Sequence, residues 1–283
     1  MKRKIKNLGA SMYLVISEAE KYLGEKDLGI VWLKIIEDFV RFSGKRGLKT
    51  IELVSTSLFS GDLLISIADE IKERLSGFKE VTYHLPAGEI NIAALHHQLR
   101  KTAILETQKH IDLCQKLGIK KVVIHPGEYA SMMDVYSKLR ELAKEIATES
   151  ILEIFQYCQE RKIELLVENL HHDEPLFQEP EEFQPLVKKG LGMCLDMVHA
   201  FVSGSDPLYF IKEFGNKIAE VHLTDGEWED PTIHLPIGSG QVNCLAALDE
   251  LQKRDFQGPV IIEVSSKGDL IKSQEYLKEK GYL

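Results

Sequence analysis

Eight side chains in this sequence have the types and placement to act on one metal ion: His84, His125, Glu168, Asp196, His199, His222, His234 and Glu263. Most sit near the end of an apolar run, and His234 follows in the loop after one. The stretch GMCLDMVHAF, residues 192–201, shows the pattern. It is mostly apolar, yet Asp196 and His199 stand three residues apart inside it. A buried charge is costly unless it is paired or bound to a metal. Taken alone, a strand histidine reads as a satisfied core or rim residue, and the glutamate of IIEV as half of a buried ion pair. Taken together, three carboxylates and several imidazoles at matching positions would repel one another or waste desolvation energy without a cation. Mixed carboxylate and imidazole donors suit Zn²⁺, Mn²⁺ or Co²⁺, and the residue types do not choose among them.

Such a cluster needs elements that converge. Eight apolar, β-branched runs are the expected strands: 7–13, 50–55, 81–86, 121–127, 163–170, 191–200, 218–226 and 259–266. Between them lie stretches of helical period, clearest at 28–43, 62–75, 91–117, 132–161 and 243–254, with shorter ones at 181–189, 206–214 and 269–280. Gly47, Gly77 and Gly118 are placed to end helices in the left-handed conformation. Strands apolar throughout and alternating with helices imply a parallel sheet covered on both faces. Eight such units predict an α/β fold, a closed (β/α)₈ TIM barrel formed by residues 1–283 as a single domain. An open dinucleotide-binding sheet would want G-x-G-x-x-G after the first strand, and GASMYLVISEAE lacks it. In a barrel the C-terminal strand ends share one mouth, where active sites sit. His84, His125, Glu168, Asp196, His222 and Glu263 fall late in strands three to eight, His199 ends strand six, and His234 follows strand seven.

Composition bounds the partners. Of 283 residues 44% are hydrophobic, which suits a large core, and the formal net charge is −9. That charge argues against a general nucleic-acid or anionic-membrane binder. No run of 18 apolar residues is present, so no membrane span is expected. The basic start MKRKIK has no apolar signal core behind it and reads as a short solvated tail. Cys114, Cys158, Cys194 and Cys244 are scattered, which fits free thiols in a reducing cytoplasm.

The segments YHLPAGEINI, VVIHPGE, LLVENL, CLDMVHAF, VHLTD, IHLPIGSG and VIIEV resemble the motifs of the xylose-isomerase-like TIM-barrel superfamily, in order over roughly residues 7 to 266. Two branches are relevant, the sugar-phosphate isomerases and epimerases, and the abasic-site endonucleases of the endonuclease IV type. The first branch implies one metal held by Glu168, Asp196, His222 and Glu263. The second implies another zinc near His84 and His125. It also implies a third zinc, using His199 and an Asp-x-His after strand seven. There His234 matches, but Thr232 stands where the aspartate belongs and Asp230 has the wrong spacing.

The loops favour the first branch. Glu128, Asp134, Asp173, Glu174, Glu179, Glu227, Glu229 and Asp230 face Lys267 alone. An endonuclease must grip phosphates, and this mouth should repel a duplex. The expected activity is therefore a divalent-metal-dependent isomerase or epimerase. Its partner would be a small sugar, sugar phosphate or polyol, with neither nucleic acid nor membrane, in the cytoplasm, and homo-oligomerisation is left open. The reaction would be proton transfer through a metal-stabilised enediolate, with Glu168 and Glu263 as acid and base. His199 would polarise a substrate oxygen. His84 and His125 would line the pocket or hold a second metal. The alternatives are the endonuclease and a non-catalytic sugar-binding barrel. Weaker candidates are Glu52 as a ligand-orienting residue or rim ion pair, His171 and His172 as solvated loop residues or substrate contacts, Trp228 as lid or rim packing, and Gly238–Gly240 as a phosphate cradle or plain turn. His96, His97 and His110 fall on a helix away from the mouth.

Overall fold

The computed structural model describes residues 4–16, 18–22, 24–128, 137–171, 176–228 and 234–283. Its strands are β1 (Leu8–Ser11), β2 (Thr50–Val54), β3 (Glu80–His84), β4 (Lys121–Ile124), β5 (Glu164–Glu168), β6 (Gly192–Asp196), β7 (Ile218–Leu223) and β8 (Val260–Ile262). Each pairs in parallel with the next, and β8 closes on β1 through Leu8 opposite Val260. The helices are α1 (Tyr13–Ile16), α2 (Leu28–Lys45), α3 (Gly61–Ser66), α4 (Ala68–Leu75), α5 (His97–Leu117), α6 (Ser137–Glu160), α7 (Pro180–Val187), α8 (Met197–Val202), α9 (Pro207–Phe214), α10 (Cys244–Lys253) and α11 (Lys267–Glu279). The fold is the closed (β/α)₈ barrel that the alternation predicts.

Helix α2 shows why these segments fold locally. Val31, Trp32, Ile35, Ile36 and Phe39 line one buried stripe, and the Asp27 carboxylate accepts from the first-turn N–H groups of Gly29 and Ile30. Burial of such a stripe, more than helix propensity, holds a surface helix in place. Elsewhere the expected boundaries shift. The segment 62–75 is two helices broken at Ile67, and α5 begins at His97, with 91–96 forming loop. Gly47 and Gly118 take positive φ as expected. Gly77 does not; a turn in which Phe78 N–H donates to Leu75 C=O follows α4 instead. The N-terminal segment is tied down from Ile5, whose N–H donates to Tyr282 C=O. The four cysteines are buried and free.

Side chains alternate along every strand. Ile51, Leu53, Tyr83, Val122, Ile124, Leu165, Val167, Met193, Leu195, Val221, Leu223 and Ile262 join the main core between sheet and helices. Val123, Leu166 and Cys194 form a separate small cluster with Ala219. Val123, Leu166 and Cys194 have their strands' other parity, the one that faces the barrel axis. Glu168, Asp196, His222 and His84 have this inward parity, as do Glu52, Thr82 and Glu220. The strands are therefore not apolar throughout: Thr50, Glu52, Thr82 and Glu220 are fully buried polar groups. The sheet's inner face is polar toward the mouth and apolar only in a thin layer.

Candidate metal centre

Strands β5, β6 and β7, with the residue just past β8, each deliver one donor. Glu168 ends β5, Asp196 ends β6, His222 lies one residue before the end of β7, and Glu263 follows β8. The β6–β7 pairing sets Asp196 level with His222, after a register shift at Met193 and Cys194. One donor atom from each of the four residues lies within 4.8 Å of the others. Ions of the expected kind bind such donors at about 2.0–2.3 Å, which sets donor separations of roughly 3–4.5 Å. The cluster is thus near the size of a closed ligand shell.

Hydrogen bonds fix the ligand atoms. The N–H of Asp196 donates to Asn169 Oδ1 at 2.9 Å, and Asn169 Nδ2 donates to the Asp196 carbonyl at 2.9 Å. Asn169 thereby clamps the ends of β5 and β6 together. Asp196 Oδ1 accepts the N–H of His199 at 2.7 Å and caps α8. His199 therefore lies on α8, not at the end of β6 as expected. The chain turns helical at once because the aspartate satisfies the helix's first donors. Asp196 Oδ2 is buried and accepts no hydrogen bond among the described residues. An orphaned carboxylate oxygen beside two other carboxylates fits a cation better than it fits a dry core.

His222 is the centre of the cluster. Its Nδ1 lies 2.9 Å from Glu263, 3.2 Å from Glu168 and 3.9 Å from Asp196, and its Nε2 lies 3.2 Å from Glu52. Both nitrogens face acceptors, here carboxylate oxygens, which favours the doubly protonated ring. Burial favours the neutral ring, but the Cys194 thiol and the charges of Glu52, Glu168 and Glu263 push it well above the ordinary value. His84 is in the same position. Its Nδ1–H donates to Leu85 C=O at 2.9 Å and its Nε2 faces Glu168 at 3.0 Å. Burial pulls its pKa down, and Glu168, Glu52 and Glu263 more than reverse this, to about 9. His199 donates Nδ1–H to Asn169 C=O at 3.0 Å. Burial opposes its charge, Asp196 and Glu168 favour it, and its pKa rises to about 10. Burial likewise raises Glu168 and Glu263, but the surrounding histidines together outweigh it, His222 with His125 and His199 at Glu168 and His222 with His234 at Glu263, which is held at about 2. Asp196 is raised by burial and by the neighbouring carboxylates. Protons here do what a divalent ion would do: they offset three carboxylates in a closed space.

The remaining expected residues join the same mouth. His125 lies 3.4 Å from Glu168, so His84, His125 and Glu168 form a second group able to hold an ion. His234, at positive φ, hydrogen-bonds the Glu263 carbonyl at 3.1 Å and packs near His199 and Tyr13. His171 packs against His199. Trp228 is half exposed and edges onto Phe201, so it packs on the rim. Glu52 is not at the rim but buried beneath His222. Asp134, His172, Asp173, Glu174, Glu229, Asp230 and Thr232 lie outside the described residues. Sequence reasoning missed Asn169, adjacent to Glu168, and Glu220, two residues before His222 on the same face. Glu220 takes a 2.8 Å hydrogen bond from Thr82, and burial with the Glu52 charge raises its pKa to about 8. A cavity of about 830 Å³ contains none of the metal-centre residues. Lys121, Ile218 and Gly258 place it at the opposite, N-terminal end of the strands.

Comparison with known proteins agrees with the fold. An uncharacterized protein of Methanocaldococcus jannaschii is 29% identical over 208 residues, covering 71% of this chain and 69% of that one. A D-tagatose 3-epimerase-like protein superposes with a TM-score of 0.75 at 23% identity over 96% of both chains. D-psicose 3-epimerase from Clostridium cellulolyticum H10, solved with D-tagatose, superposes with a TM-score of 0.73 at 15% identity over 96% of this chain and 97% of that one. At these identities the two superpositions bear on the fold. Over residues 40–280 the sequence also matches a family model of its own, and on that match the chain belongs to the xylose isomerase-like TIM barrel family.

Proposed function

We propose that the chain is a divalent-metal-dependent isomerase or epimerase of a small sugar, sugar phosphate or polyol-derived ketose. The observation that carries this reading is the meeting of Glu168, Asp196, His222 and Glu263 donors within 4.8 Å at the barrel mouth. The sugar 3-epimerases among the structural neighbours support the substrate class. Those four residues would hold the ion. When bound, it would polarise a substrate carbonyl and a neighbouring hydroxyl and so acidify the C–H of the carbon that bears that hydroxyl. Glu168 and Glu263 flank His222 Nδ1, and these two carboxylates are the proton carriers. One, as the carboxylate, takes the carbon-bound proton on its oxygen, and the other, starting as the carboxylic acid, gives its proton to the carbon and is left as the carboxylate. His199 has its Nδ1–H committed to Asn169, which leaves Nε2 for a substrate oxygen.

The test is exchange of the substrate's α-proton with solvent deuterium by metal-loaded protein. Glu263→Gln is expected to lose that exchange by about 10²-fold or more, with metal content measured in the variant because the same carboxylate is a ligand. Exchange at wild-type rate in Glu263→Gln removes Glu263 from the reaction. One observation favours a second reading. His84, His125 and Glu168 would hold a second ion beside the first, and two-metal sites suit phosphodiester cleavage. Metal-dependent cleavage of an abasic-site duplex, with no exchange on any sugar, would establish that endonuclease reading instead.

A further inference from the structure

The loop Gly238–Gly240 and the start of α11 occupy the places where barrels commonly seat a phosphate, after strands seven and eight. Such a seat is made of free backbone N–H groups, a helix N-terminus and a cation. Here each component already has an anion of the chain's own.

Asp225 follows β7 by two residues and is 1% exposed. Its Oδ2 accepts the N–H groups of Gly238 and Gly240, and its Oδ1 those of Gly226 and Val242, all at 2.9 Å. The four donors point at one carboxylate, as the donors of a phosphate loop point at a phosphate. The fit is close: a Cβ on Gly240 would stand 2.6 Å from Asp225 Oδ1. At the start of α11, Ser266 Oγ accepts the N–H of Asp269 at 3.1 Å, and the Asp269 carboxylate lies in the first turn. The cation is also taken. Lys267 Nζ lies 2.9 Å from Glu18 and 2.8 Å from Asp38. Lys21 contacts the same two carboxylates at 2.9 and 3.0 Å. The segments that follow the eight strands, 12–27, 55–60, 85–96, 125–136, 169–179, 197–206, 224–243 and 263–267, contain Lys21, Lys26 and Lys267 and no arginine. Lys26 is exposed and adjoins Asp27, the capping carboxylate of α2.

We propose that the substrate is an uncharged sugar or polyol-derived ketose and not its phosphate ester, because Asp225 fills the glycine loop and Glu18 and Asp38 hold Lys21 and Lys267. The inference rests on the isomerase reading above and narrows it. A phosphate brought to this mouth would meet carboxylates where other barrels offer donors.

Two measurements test it. In the first, metal-loaded protein is given ketoses and their phosphate esters in deuterated solvent. The expected result is exchange on a free ketose, with kcat/KM at least about 10²-fold above that of its ester. An ester turned over as well as or better than the free sugar overturns the inference and leaves the isomerase reading intact. In the second, metal-free protein is titrated with inorganic phosphate by calorimetry, so that binding to the ion cannot contribute. No saturable heat is expected up to about 10 mM. Saturable binding below that concentration overturns the inference whatever the substrate. Absence of exchange on every sugar, free or esterified, at full metal content sinks the isomerase reading and this inference with it.

Discussion

His222 presents Nδ1 to Glu168, Asp196 and Glu263, and Nε2 to Glu52 at 3.2 Å. A carboxylate on the far nitrogen fixes which nitrogen holds the proton and so which one is free to bind a metal. Glu52→Gln keeps the shape and removes the charge. It is expected to weaken divalent-ion binding by about 10- to 100-fold, measured by titration calorimetry. The unfolding temperature of the metal-free variant serves as the control for mere packing. Unchanged affinity would reduce Glu52 to a space-filler. His110 gives a prediction away from the metal. It is buried, 2.8 Å from the Tyr83 hydroxyl and 3.6 Å from Glu106. Burial lowers its pKa to about 4, with Glu106 opposing and Lys109 assisting. Between pH 6.5 and 4 the unfolded chain therefore binds a proton that the fold refuses, and stability falls as the pH falls. From pH 7 to pH 5 this group alone withdraws about 2 kcal/mol. His110→Gln should show an acid loss smaller by that amount in urea unfolding at the two pH values. Parallel losses in both proteins would count against it.

At the scale of elements, the loop after β7 is held from inside by Asp225 and by contact too close for a side chain. A Cβ on Gly240 would overlap the Gly226 carbonyl oxygen, a backbone atom that cannot swing away. Gly240→Ala should lose about 2–3 kcal/mol in urea unfolding, through strain and loosened hydrogen bonds to Asp225. A loss below about 0.5 kcal/mol, the scale of an ordinary surface substitution, would mean that the loop is slack. The strands, helices and convergence of Glu168, Asp196, His222 and Glu263 were legible because apolar β-branched runs alternate with stretches of period 3.6 and each donor stands at or near a strand end. Glu220 was not legible. Its inward parity has meaning only once the sheet is known to close. His199 was misplaced because a six-residue helix begins directly after Asp196, and one capping bond decides that. Asp225 was passed over because its partners stand up to seventeen residues ahead of it, beyond any local pattern.

For the whole molecule, the four proposed ligands tie together β5, β6, β7 and the end of β8. An ion that binds only the folded chain stabilises it in proportion to the logarithm of its excess over Kd, about 2.7 kcal/mol at a hundredfold excess. Chelation is therefore expected to lower the unfolding temperature, and Zn²⁺, Mn²⁺ or Co²⁺ to restore it. Elemental analysis of protein purified without chelator should find about one ion per chain at high occupancy. Three stoichiometric zincs, or an unfolding temperature indifferent to chelator, would contradict the proposed centre.

The closure of β8 on β1 has a consequence for how the chain is made. Leu8 leaves the ribosome long before its partner Val260 is synthesised. Throughout that interval β1 presents an open hydrogen-bonding edge, the kind of edge that recruits other nascent chains. The barrel is free of edges only when complete, so its greatest exposure to aggregation falls during translation. A chain cut short before β8 should gather in the insoluble fraction.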